Sequence, residues 1–161
     1  MENISVTNGM LNTGGLKAIL LSGLAAGILD ITAASVNIWL SSGRGPIRTF
    51  QSVAGGLYGA ETFNGGYRTA AIGLALHFFI ALTAAALYYL ASRRLRLMVS
   101  QPILSGVVYG LAVWLFMYLV VLPLSAWKVS TYSFSSVATG IFIHIFFVGL
   151  PIALITRRFS R

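Results

Sequence analysis

Four apolar runs, each long enough to cross a bilayer and each closed by charged or turn residues, decide what this chain can fold into. They lie near Leu16–Leu40, Arg68–Ala91, Pro102–Leu124 and Ser136–Thr156. A hydrocarbon core takes about 20 helical residues. Within it the backbone must satisfy its own amides, which favours helices. The runs are apolar around their whole circumference, not along one stripe, so a water-soluble bundle is excluded. The expected fold is all-α: a polytopic membrane protein whose four transmembrane helices form a single domain over residues 1–161.

Composition agrees. The chain is 57% hydrophobic and 9% charged, where a soluble domain carries roughly a quarter of its residues charged. It has no cysteine, which removes disulfides, thiolate metal sites, iron–sulfur clusters and thiol catalysis together. The net charge of +8 does not point to nucleic acid. Lys17, Arg44, Arg48, Arg68, Arg93, Arg94, Arg96, Lys128, Arg157, Arg158 and Arg161 sit between or beyond the apolar runs, where they read as topology anchors and lipid-headgroup contacts. The expected partner is the lipid bilayer, with a homo-oligomer or a larger membrane complex open as alternatives.

The Lys/Arg bias sets the orientation. With the N-terminus inside, seven basic residues (Lys17, Arg93, Arg94, Arg96, Arg157, Arg158 and Arg161) face the cytoplasm and four (Arg44, Arg48, Arg68 and Lys128) face outward. Both termini are expected to be cytoplasmic, in a bacterial inner membrane. The segment Met1–Gly15 is polar and has no basic n-region, and the first run ends without a persuasive cleavage site, so it reads as a retained anchor. In the first outer loop, Ile47, Phe50, Val53 or Ala54, and Leu57 recur at helical spacing after Pro46. This predicts a short amphipathic helix over 46–58, lying at the outer interface or capping the bundle.

The two halves of the chain echo each other. Leu21-Ser22-Gly23-x-x-x-Gly27 in the first span matches Leu104-Ser105-Gly106-x-x-x-Gly110 in the third, and Gly73-x-x-x-His77 in the second matches Gly140-x-x-x-His144 in the fourth. This is the trace of a duplicated helical hairpin, whose two copies cross the membrane in the same direction. The paired glycines Gly23, Gly27, Gly106 and Gly110 are expected to be helix-packing positions, because backbones approach closely where side chains are absent. A second small-residue surface, Ala81–Ala86, could receive a partner.

Few residues can carry chemistry. Asp30, His77 and His144 lie inside apolar spans, where ionisable groups are costly and turn toward the bundle interior. At 1.5 Å per residue all three fall roughly 12–15 Å below the outer boundary, in one layer. Three readings are open. In the first, the three form a hydrogen-bonded network with Asn37, Thr83, Tyr88 and Tyr109 that fixes helix register in a structural or accessory membrane subunit. In the second, Asp30 carries a proton or ion in a small transporter with a histidine as relay. In the third, His77 and His144 are axial ligands of a b-type haem, with Gly73 and Gly140 making room for the porphyrin. A two-histidine, one-carboxylate metal site can be drawn from the same residues, without a geometry to fix it. No P-loop, dinucleotide fingerprint, His-Glu-x-x-His or nucleophile elbow occurs, so the chain is not expected to be an enzyme. Pro123 should end the third span, and Pro151 should kink the fourth below His144.

Pro46, Arg48 and Gln51, the glycines Gly55, Gly56, Gly65 and Gly66, then Leu76-His77-Phe78, Val121-Leu122-Pro123-Leu124 and His144 with Gly149 and Pro151-Ile152-Ala153 make up a layout. It resembles an uncharacterised family of small bacterial four-helix inner-membrane proteins, distantly YagU-like. The resemblance covers nearly the whole chain after the first fifteen residues. It implies a bacterial inner membrane and no particular mechanism.

Overall fold

The computed structural model describes residues 13–127 and 133–159. Most of the N-terminal segment, with Glu2, lies outside the described residues, as do Lys128 and Arg161. Four helices are long and apolar enough to cross a membrane: Thr13–Ser42, Gly66–Arg94, Pro102–Leu124 and Phe134–Phe159. The third coincides with its expected span, and each of the others contains one with a few residues added at its ends. A cap helix, Pro46–Tyr58, and a short 3₁₀ segment, Gly59–Asn64, join the first two spans. One helical turn, Leu97–Ser100, leads from the second into the third.

The first span packs against the second and the fourth, and the third packs against the fourth. The paired glycines explain these contacts. A Cβ added at Gly23 would stand 3.0 Å from Leu82 Cα, and one at Gly27 would stand 2.8 Å from the Phe78 ring. In the second hairpin, a Cβ at Gly106 would stand 3.0 Å from Leu150 Cα, and one at Gly110 would stand 2.7 Å from Ile145 Cα. Each glycine pair therefore seats its span on the other span of its own hairpin, at a separation only a missing side chain permits.

These contacts carry the repeat into three dimensions. Phe78 and Ile145, facing Gly27 and Gly110, are 67 residues apart, as His77 and His144 are. Leu82 and Leu150, facing Gly23 and Gly106, are 68 apart. The extra residue is absorbed by a π-helical segment, His144–Gly149, in the fourth span. The third span has one too, Met117–Val121. Both π-helical segments immediately precede a proline-bearing turn, at Pro151 and Pro123. Proline removes one amide donor and crowds the carbonyl four residues back, and a wider turn relieves that crowding. The kink expected at Pro151 thus takes the form of a π-helical insertion.

The core that results is built of small residues around one aromatic: Ala26, Ala84, Ala85, Tyr88, Val148, Ile152 and Ala153. Tyr88 Oη donates to Met98 O at 3.0 Å and Tyr109 Oη to Ala84 O at 2.7 Å, with the two rings edge to face at 4.9 Å. Beside this pair the second and third spans part, leaving an apolar cleft of about 400 Å³ lined by Phe79, Thr83, Leu87, Tyr109 and Phe116 among others. The Ala81–Ala86 surface is not free for a partner, since Ala81, Ala84 and Ala85 are buried in the bundle.

The cap helix forms where expected. Its buried positions are Thr49, Gln51, Ala54 and Gly55, while Ile47 and Leu57 are exposed. The small and polar face packs on protein, Phe50 and Val53 are half-buried, and Ile47 and Leu57 face outward. Gly73 makes this contact possible: a Cβ there would collide with the carbonyl of Phe50. Gln51 Nε2 donates to Gly66 O at 3.1 Å and to Thr69 Oγ1 at 3.3 Å, and Thr69 Oγ1 donates to Thr62 O at 2.7 Å. Ala126 N donates to Gly56 O at 2.9 Å, tying the end of the third span over the cap. The Arg48 guanidinium lies 4.1 Å from the centre of the Phe63 ring.

Gly73→Ala should therefore destabilise the protein by about 1–3 kcal/mol through overpacking, read as a lowered unfolding midpoint on titrating mixed micelles with SDS. Gly56→Ala, whose Cβ would meet only Ser125 at 3.9 Å, should leave the midpoint unchanged or raise it.

Candidate functional site

The close approach at Gly27 places His77. With phenylalanine at position 78 pressed against that glycine, the preceding imidazole meets the first span's backbone. His77 is buried, and its Nε2 lies 2.9 Å from the carbonyl oxygen of Gly27. A carbonyl can only accept, so Nε2 carries the proton and donates. The other ring nitrogen, Nδ1, lies 3.9 Å from Asp30 Oδ2. That is an ion-pair distance and too long for a hydrogen bond. In a neutral ring this nitrogen offers a lone pair to a carboxylate, so the arrangement is attractive only when the pair holds one further proton, on Nδ1 or on the carboxyl. Asp30 remains 19% exposed and has no hydrogen bond among the described residues.

His144 occupies the matching place in the second hairpin and is held differently. Its Nδ1 lies 2.9 Å from the carbonyl of Gly140, one turn earlier in its own helix. Here Nδ1 is the donor, which leaves Nε2 as the acceptor of the neutral ring. Sequence position explains the difference. By the repeat, Val113 stands where the first hairpin has Asp30, so the second hairpin has no acid to face its histidine. His144 instead lines a cavity of about 260 Å³ with Trp114, Met117, Tyr118, Leu122, Ser136 and Val137.

The expected three-residue layer therefore reduces to a pair plus a separate histidine. Asp30 and His77 come together at the junction of the first and second spans, and His144 faces the third. Among the described residues no three His, Asp or Glu side chains gather into a group able to hold a metal ion. The residues expected to complete the network bond elsewhere. Thr83 donates to Phe79 O in its own helix, Tyr88 and Tyr109 close the other end of the bundle, and Asn37 is exposed.

The histidines do not fit as axial ligands of one haem. Both nitrogens of His77 are directed at protein groups, Gly27 O and Asp30. The glycines that were to accommodate a porphyrin are filled by protein. Gly73 receives the Phe50 carbonyl, and a Cβ at Gly140 would stand 2.7 Å from Trp114 Nε1. Sequence reasoning missed Trp114, Tyr118 and Ser136 because nothing in an apolar run distinguishes an aromatic that lines a cavity from one that faces lipid. The Gly140-x-x-x-His144 spacing was the available signal, since a glycine one turn before a histidine leaves space beside the ring.

Compared with protein-family models, with curated proteins and with solved structures, the chain matches none.

Because His77 links two spans and the one hydrogen bond of His144 stays within its helix, the two should differ in stability. His77→Ala should cost about 1–2 kcal/mol, the upper range for a lost hydrogen bond between membrane helices. His144→Ala should cost well under half as much. Unfolding of both variants in SDS-titrated micelles checks this.

Proposed function

We propose that this chain is a non-enzymatic structural or accessory protein of a bacterial inner membrane, with both termini cytoplasmic, whose Asp30–His77 pair fixes the first hairpin as a rigid unit. The hydrogen bond from His77 Nε2 to the Gly27 carbonyl carries the reading. It joins a side chain of one span to the backbone of another at the point of closest helix approach, where its first effect is on register. Such bonds between membrane helices are worth roughly 0.6–1.7 kcal/mol, enough to select one register and too little to store work. The excess of Lys and Arg at the end of the bundle that carries the termini supports the orientation, and the absence of cysteine makes it easy to test by labelling single cysteines placed at Arg48 and Arg93.

A second reading is favoured by one observation. Asp30 is 19% exposed and faces an imidazole that is already committed as a donor on its far side. A partly exposed acid beside a buried histidine inside an apolar span is the kind of pair a proton- or ion-coupled site uses.

Asp30→Asn separates the two. The amide keeps the shape and can still meet Nδ1, so a structural pair should tolerate it with a loss below about 1 kcal/mol, within the range of a single weak membrane hydrogen bond. Proteoliposomes containing a pH-sensitive dye should then show no difference between the wild type and the variant. A proton flux present in the wild type and abolished in a normally folded Asp30→Asn protein would overturn the structural reading in favour of the second.

A further inference from the structure

The cavity beside His144 belongs to neither reading of the Asp30–His77 pair, and it has the features of a ligand site. Its position is set by the second hairpin. The indole of Trp114 lies over Gly140, where any side chain would displace it, and Tyr118 stacks on Trp114 with centroids 4.9 Å apart and planes 15° from parallel. Together they form a stacked aromatic pair along one side of the cavity. His144 lies along the same cavity, with Nδ1 held by the Gly140 carbonyl at 2.9 Å. Its Nε2 has no partner among the described residues. Ser136, exposed near the start of the fourth span, lines the same cavity.

Each feature restricts the ligand. A site between two membrane spans selects a molecule that partitions into lipid. The outer face of a stacked aromatic pair selects a planar ring, which gains by offset stacking. A neutral imidazole whose Nδ1 is already the donor can only accept through Nε2, so the ligand must bring a donor, such as a ring hydroxyl, and not a carbonyl. About 260 Å³ has room for a substituted aromatic ring. We propose that this cavity binds the aromatic head group of a quinol, with His144 Nε2 accepting its ring hydroxyl and the Trp114–Tyr118 stack forming one wall. The histidine thus distinguishes redox states by hydrogen-bond polarity: the oxidised quinone has only carbonyl acceptors and would leave Nε2 facing a like group.

The test uses the full chain in phosphatidylcholine nanodiscs at pH 8, with empty discs as the partition blank. A short-chain benzoquinol, kept reduced under anaerobic conditions, and its oxidised quinone are the two probes, and bound probe is quantified after extraction. The expected result is saturable quinol binding above the blank at one per chain, roughly tenfold tighter than the quinone, the factor one hydrogen bond supplies. His144→Phe should lose that tenfold for the quinol and leave the weaker quinone binding unchanged. The comparison of the two probes needs no variant, so the test stands even if His144→Phe folds poorly. Quinol uptake no greater than in empty discs, equal binding of the two redox forms, or full quinol affinity in a folded His144→Phe protein would each overturn the proposal.

Discussion

The architecture depends on how closely two helix backbones can approach inside lipid. Without a hydrophobic drive between helices, association rests on van der Waals contact and on hydrogen bonds that replace nothing. Gly23 and Gly27 supply the first by removing every obstacle between the first span and the Leu82 and Phe78 positions of the second. The second follows from it, because the Gly27 carbonyl comes within 2.9 Å of His77 Nε2 only at that separation. The cap helix then rests on the same span through Gly73, so its placement derives from the hairpin beneath it.

The duplicated hairpin explains both what the halves share and where they diverge. Both use a Gly-x-x-x-Gly pair against the following span, and both bring a histidine to the contact. The first copy pairs that histidine with an acid across the interface. The second has Val113 at the equivalent place, a π-helical turn beginning at the histidine, and an aromatic wall on the neighbouring span. One ring is consumed in holding helices together, while the other is held by its own helix and keeps a nitrogen available. The contacts between the hairpins are unequal as well: the first and fourth spans pack, but a cleft separates much of the second from the third.

Much of the fold was legible in the sequence for physical reasons. Length and all-round apolarity identified four spans, because no other structure hides twenty backbone amides in lipid. The glycine pairs and the repeat were visible because close packing admits one residue type. Other features were not legible. Apolar spacing predicted the cap helix but not which of its faces meets the protein: Thr49, Gln51 and Ala54 do, and Ile47 and Leu57 do not. Depth alone placed Asp30, His77 and His144 in one layer, but depth does not fix azimuth. A π-helical insertion at His144 and a valine at 113 are enough to separate His144 from the acid.

The opposite anchoring of two equivalent histidines unites the hairpin contact with the second cavity, and it can be observed directly. Solid-state NMR of the protein in bilayers, with ¹⁵N in both histidine rings and His144→Phe for assignment, reports which nitrogen carries the proton. His77 should show a protonated Nε2 hydrogen-bonded to a carbonyl, whatever the state of Nδ1. His144 should show a protonated Nδ1 and a bare Nε2. A bare Nε2 on His77, or a bare Nδ1 on His144, would contradict the arrangement on which both hairpins are explained.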